Sequence, residues 1–109
     1  MIAIEAVLDE CGILRSCTAS GHAGAGKTGT DIVCAAVSVL MRTAARTLSN
    51  RKGITIRCDA PDPGFLNLEA VYTAEGKDFL FAAGEFLIEG LGSVAGEFPQ
   101  NCTLLIRRT

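Results

Sequence analysis

The chain has 109 residues, 49% of them hydrophobic and 20% charged, with no Trp. That length predicts one domain, residues 1–109, with one core, and the composition excludes a disordered tail, a collagen-like repeat and a coiled coil. Ten Lys and Arg against twelve Asp and Glu leave a net charge of −2, so the cationic footprint of a general nucleic-acid binder is missing and no direct nucleic-acid partner is expected.

In chain order, residues 1–8 alternate, with Ile2, Ile4, Ala6 and Leu8 on one side and Glu5 on the other, the pattern of a half-buried strand. Asp9-Glu10-Cys11-Gly12 supplies a turn, and residues 13–20 read as a second strand completing a hairpin. Gly21, Gly24, Gly26 and Gly29 then fall within ten residues, a density that predicts a mobile loop. A first helix is expected over residues 31–50, capped by Thr30 or Asp31, with Arg42, Arg46 and Arg51 toward its end. Its apolar residues occupy most of the circumference up to Met41, which implies burial on more than one side, in part by another subunit.

The longest apolar run, residues 32–41, would reach about 15 Å as a helix, half a bilayer core. The first residues carry neither a basic start nor a signal-peptide core. A cytoplasmic protein without membrane partners is expected.

Residues 54–59 alternate as a third strand, residues 59–64 form a turn, and residues 66–72 form a fourth strand. A second helix is expected over residues 77–95, with Phe79, Ala83, Phe86, Leu87, Gly90 and Val94 on its apolar face. Phe98-Pro99 closes that region, and residues 102–106 form a last strand. The order is ββαββαβ. The expected fold is an α/β (α+β) two-layer sandwich, a mainly antiparallel five-stranded sheet with two helices on one face. The other face, carrying Glu5, Thr55, Arg57, Asn67, Glu69 and Arg107, should be wet or meet a partner.

The five cysteines, at 11, 17, 34, 58 and 102, are odd in number and irregular in spacing, which predicts thiols rather than a disulfide framework. Cys58 and Cys102 fall on the core parity of their strands, and Cys17 shares a side with Ile13 and Ala19. One His among scattered cysteines does not make a zinc site, and neither metal nor cofactor is expected.

The glycine segment admits several readings. Gly21-x-x-x-x-Gly26-Lys27-Thr28 matches the phosphate-binding loop, in which backbone amides cradle phosphates and the hydroxyl binds magnesium. Against it stand the expected helix start at residue 31, hairpins in place of a parallel repeat, and Asp59 as the one carboxylate placed for magnesium. Gly24-x-Gly26-x-x-Gly29 matches a dinucleotide fingerprint but lacks its βαβ unit.

His22 and Cys34 bracket the same segment. A thiol in the first turn of a helix is favoured as thiolate, a nearby imidazole can take its proton, and amides of residues 32–34 could hold an oxyanion. Asp31 could cap the helix or orient His22. Equally, Cys34 could be small core packing in an apolar helix and His22 a loop residue, as in a non-catalytic binding module.

Gly21-His22-Ala23-Gly24, followed by Gly29-x-Asp31-Ile32-Val33-Cys34-Ala35-Ala36-Val37-Ser38, closely resembles the signature of the Prp family of ribosomal-processing cysteine proteases. The likeness extends in outline over the whole chain. It implies a small homodimeric α/β enzyme that removes an N-terminal extension from a precursor of a large-subunit ribosomal protein, the twenty-seventh of its series. It further implies a dyad of His22 and Cys34, with Asp31 in support, and a substrate-binding loop containing Gly21, Gly24, Gly26 and Gly29. The stretch Ala25-Gly26-Lys27-Thr28 is smaller and more basic than the family loop.

Overall fold

In a computed structural model, the structure describes residues 1–21, 28–62 and 64–109, with the side chains of residues 28–31 outside the description. Five strands, β1 (Ile2–Leu8), β2 (Leu14–Gly21), β3 (Ile54–Asp59), β4 (Phe65–Tyr72) and β5 (Cys102–Arg108), form one sheet in the order β3-β4-β2-β1-β5. Two helices, α1 (Thr28–Leu48) and α2 (Lys77–Glu97), join its halves, with a 3-10 turn at Ala74–Gly76 leading into α2. The element order is the one expected. The pairs β1–β2, β2–β4 and β3–β4 are antiparallel, whereas β1–β5 is parallel, so the sheet is mixed. Entering from α2, the last strand has come back across the layer, and a crossover of this kind delivers a parallel neighbour.

The core lies between one face of the sheet and both helices. Ile2, Ile4, Ala6 and Leu8 of β1 and Leu66, Leu68 and Ala70 of β4 point inward, every second residue as the pleat demands. In β2 the pairing slips by one residue between Val7–Ser16 and Leu8–Leu14, leaving Arg15 as an extra residue. That bulge lets Leu14 and Cys17 both face inward although they are an odd number apart.

α1 contributes Val33, Val37, Met41, Ala45 and Leu48, one stripe at helical spacing. Its burial is therefore one-sided in the chain, and Ile32 and Val39 are exposed. On α2 the buried stripe is Leu80, Gly84, Leu87, Leu91 and Val94. The expected face was rotated, because Phe86 is 76% exposed. The segment Ala74–Glu97 is long and apolar enough to cross a membrane, but its Leu80–Leu91 stripe is spent on the sheet. Arg51 lies over the Phe79 ring, 3.6 Å from its centroid, tying the end of α1 to α2.

The opposite face of the sheet carries the polar residues that its alternation predicts, together with exposed Val71 and Leu105. Thr18 and Asn67, directly opposed in register, are hydrogen-bonded at 2.9 Å, and Arg107 pairs with Glu5 at 3.2 Å. Core parity fades along the two edge strands. Ile54 is buried but Cys58 is exposed, contrary to its expected core position, on a strand that has a neighbour on one side only.

The end of the sheet at Asp9 is held by a polar knot. Tyr72 donates its hydroxyl to the Asp9 carboxylate at 2.5 Å, and the amides of Cys11 and Ile13 donate to the other carboxylate oxygen. The Tyr72 bond is the main cause that holds Asp9 below the usual carboxylate range, and the same bond pushes the Tyr72 phenol up to about 12. A lowered carboxyl contributes stability above its unfolded value and loses it as pH falls through the folded one. A raised phenol contributes below about 10 and loses it as pH climbs toward 12. Thermal melts of Tyr72→Phe should therefore show a lower Tm at neutral pH and a shallower dependence on pH at both extremes. Unchanged slopes would show that the bond does not form in solution.

Candidate active site

Cys34 is the seventh residue of α1, one position after fully buried Val33. Each helical residue advances by about 100°, so Cys34 sits at the edge of the stripe that faces the sheet. It is half-buried and opens onto a cleft of about 490 Å³. The α1 wall of that cleft comprises Cys34, Val37, Ser38 and Arg42, and Ile2, Ala19 and Leu66 supply an apolar floor. The facing wall is the β3–β4 turn, with Pro61, Asp62 and Phe65.

Gly21, the last residue of β2, lines the same cleft. Its φ is +99°, and a Cβ there would strike the Met1 carbonyl. Its amide donates to the Gly64 carbonyl at 2.8 Å. The strand end that leads directly to His22 is thus clasped between the start of β1 and the β3–β4 turn. Only glycine tolerates that combination of positive φ and close backbone approach.

His22, Gly24 and Gly26 lie outside the described residues. Asp31 and Gly29 lie within α1, and the Asp31 side chain lies outside the description. The helix begins three residues earlier than expected, and this changes two expectations. Asp31 is inside the helix and is not its cap. The amides of residues 32–34 lie beyond the first turn, where each bonds the carbonyl four residues back, so they are not a ready oxyanion hole. Likewise, the attraction of a helix start for a thiolate falls off within the first turn. Gly21 and Gly29 belong to a strand and a helix rather than to a loop.

The start at Thr28 would suit a phosphate-binding loop, but the rest of that pattern fails. β2 and β3 are separated by antiparallel β4, and Asp59 is engaged by Arg57 at 3.3 Å. Among the described residues no His, Cys, Asp and Glu cluster could hold a metal ion.

The other thiols differ sharply. Cys17 is fully buried and its thiol is pushed up to about 12 by burial alone. Cys102, at the start of β5, is raised by burial and, secondarily, by the charge of Cys34 close by. Cys11 and Cys58 are exposed. The sequence located the turn at residues 59–64 but not its place as the far wall, and it assigned Arg42 to the end of the helix without placing it at the site. The spacing of residues 34, 38 and 42 was the available signal, since every fourth residue shares a helix face.

Brief alkylation of the native protein, read by peptide mass spectrometry, should modify Cys11, Cys34 and Cys58 and spare Cys17 and Cys102 until the chain is unfolded. Early modification of Cys17 or Cys102 would contradict the packing around the cleft floor.

Comparison with known proteins bears on this arrangement. No curated protein matches the chain. The fold is similar to SMU.848 from Streptococcus mutans, with a TM-score of 0.82 and 29% identity over 100% of this chain and 96% of that one. It is also similar to the ribosomal processing protease Prp from S. aureus in complex with a covalently linked product peptide, with a TM-score of 0.83 and 20% identity over 98% of this chain and 100% of that one. The S. aureus protease in complex with a substrate peptide gives a TM-score of 0.81 and 18% identity over the same shares of the two chains. The family model described as cysteine protease Prp matches residues 1–103. With a thiol-lined cleft at the signature and a family match over nearly its whole length, the chain belongs to the cysteine protease Prp family.

Proposed function

We propose that this cysteine protease is a cytoplasmic endopeptidase that trims the N-terminal extension from the precursor of a large-subunit ribosomal protein, the twenty-seventh of its series. The observation that carries the reading is the placement of Cys34 on an open cleft that also receives the strand end preceding His22. Family membership and the peptide complexes of the S. aureus protease support it.

In this mechanism His22 takes the proton of the Cys34 thiol. The sulfur attacks the scissile carbonyl carbon, and the resulting imidazolium returns the proton to the departing amine. A thioester remains on Cys34. His22 then activates water, which cleaves the thioester and restores the thiol. The covalently linked product peptide of the S. aureus protease is in keeping with such an acyl-enzyme. Asp31 stands one helical turn before Cys34 and supports the dyad. Gly24 and Gly26, with Gly21 and Gly29 at their flanks, border the path of the peptide. Neither a metal nor a cofactor takes part.

The protein acts as a homodimer. Exposed Ile32 and Val39 on α1 support this assignment, since both are large apolar side chains without cover in one chain. The thiols Cys11, Cys17, Cys58 and Cys102 suit a reducing cytoplasm.

Incubation with the host's own ribosomal precursor, followed by intact-mass measurement, should yield a trimmed N-terminus. Cys34→Ser and His22→Ala should each lower kcat by at least about a hundredfold, in line with the loss of a nucleophile or general base, while Cys58→Ser should remain active. Activity of Cys34→Ser equal to the parent would end the assignment. Gly21→Ala should fold with a lower Tm and lose most of its kcat, because displacing the strand end by even an ångström misplaces the residue that follows. Wild-type kcat in this variant would mean that the clasp does not position His22.

A further inference from the structure

We propose that Cys102 is a resolving thiol for Cys34, so that a peroxide converts the pair into a reversible disulfide that switches the protease off and shields its sulfur from irreversible oxidation. The inference rests on the reading of Cys34 as the nucleophile and adds redox control to it.

The sheet brings the two residues to one end of the core. In register, Ile2 of β1 faces Gly21 of β2 on one side and Cys102 of β5 on the other. Neighbouring strands lie about 4.8 Å apart. Ile2 and Cys102 are both buried on the side of the sheet that meets the helices. Cys34 shares its cleft with Ile2 and Gly21, and it packs against the cluster that contains Ile2 and Cys102. It therefore stands over the row of which Cys102 is the last member. The Cys102 thiol is raised first by burial and then by the charge of Cys34, whereas Cys34 contributes nothing at Cys17 or Cys58.

The two thiols differ as such a pair requires. Cys34 is half-buried and open to the cleft, where a small oxidant reaches it. Cys102 is 1% exposed, and burial keeps it protonated, so reagents in solution do not compete for it. Cys102 is also the first residue of its strand, next to a turn closed by its own amide on the Phe98 carbonyl at 3.0 Å. A disulfide needs Cα atoms about 4.4–6.8 Å apart, and movement of this strand end toward α1 leaves the ladder from Thr103 onward in place.

The chemistry runs in two steps. The Cys34 thiolate attacks one peroxide oxygen, the O–O bond breaks, hydroxide leaves, and the sulfur, oxidised by two electrons, carries a hydroxyl. The Cys102 sulfur then attacks the Cys34 sulfur. The S–O bond breaks, the Cys102 proton joins the departing hydroxyl, and water leaves. A dithiol reductant returns both thiols by exchange. Without a resolving partner, the hydroxylated sulfur takes further oxygen from peroxide and becomes a sulfinic acid that thiols do not reduce.

The test treats the folded, full-length protein with a modest excess of hydrogen peroxide and reads intact mass, non-reduced peptide maps and cleavage of the ribosomal precursor. The parent should lose two hydrogens, show its Cys34 peptide linked to its Cys102 peptide, lose cleavage, and regain most of it with dithiothreitol. Reduced Cys102→Ala should cleave as the parent does. After peroxide its Cys34 should carry two or three oxygens, and dithiothreitol should recover several-fold less activity than in the parent. Cys17→Ala, which also removes a buried thiol, should behave as the parent. A parent whose Cys34 is overoxidised without a link to Cys102, or is linked instead to Cys11 or Cys58, would overturn the inference alone, as would equal recovery in Cys102→Ala. Because the link is read by mass, it is scored separately from turnover. A reduced parent that cleaves nothing would remove the protease reading and the switch with it.

Discussion

Everything at the cleft depends on how α1 is rotated against the sheet. Val33, Val37 and Met41 are buried on the strands, and exposing any one of them would forfeit about 1.5–3 kcal/mol of apolar burial. Turning the helix by one residue would expose all three, so the rotation is fixed by several kcal/mol. That constraint leaves Cys34 at the boundary between core and solvent. The position of Cys34, the proposed nucleophile, follows from core packing one residue away. The same stripe carries Ser38 and Arg42 onto the cleft wall.

The second constraint is backbone geometry at the sheet end. Gly21 is pressed against the Met1 carbonyl on one side and bonded to Gly64 on the other. The first strand and the β3–β4 turn, far apart in sequence, therefore share control of the segment that leads to His22. The helix supplies one partner of the proposed dyad and the sheet end supplies the other. Relative motion of these two layers is limited by the Leu68, Leu87 and Leu91 core between them.

Much of this was legible in the residues alone. Alternation located all five strands, and the split of apolar from charged positions identified the wet face that Glu5–Arg107 and Thr18–Asn67 now occupy. The mixed character of the sheet was not legible, because the pairing of β5 with β1 is a long-range choice that a local pattern does not encode. The rotation of α2 was misjudged for a related reason. Both Phe86 and Leu87 are apolar, and only the shape of the sheet decides which one is buried. At the start of α1, Gly29 and the cap-like Thr30 and Asp31 argued for a late beginning, yet propensity yields to context there. The bulge at Arg15 left no composition signal that would distinguish it from a regular strand. The signature itself, from Gly21 to Ser38, carried the family reading, while the far cleft wall came only from folding the β3–β4 turn back toward α1.

The order β3-β4-β2-β1-β5 leaves two strands with one unpaired margin each. Open margins invite recruitment of foreign strands and growth into fibrous aggregates. Here the β3 margin bears Arg57 and Asp59, and β5 ends in Arg107 and Arg108. A second molecule approaching either border would have to strip water from these ions before its backbone could bond. The borders thus act as electrostatic guards against edge-to-edge growth.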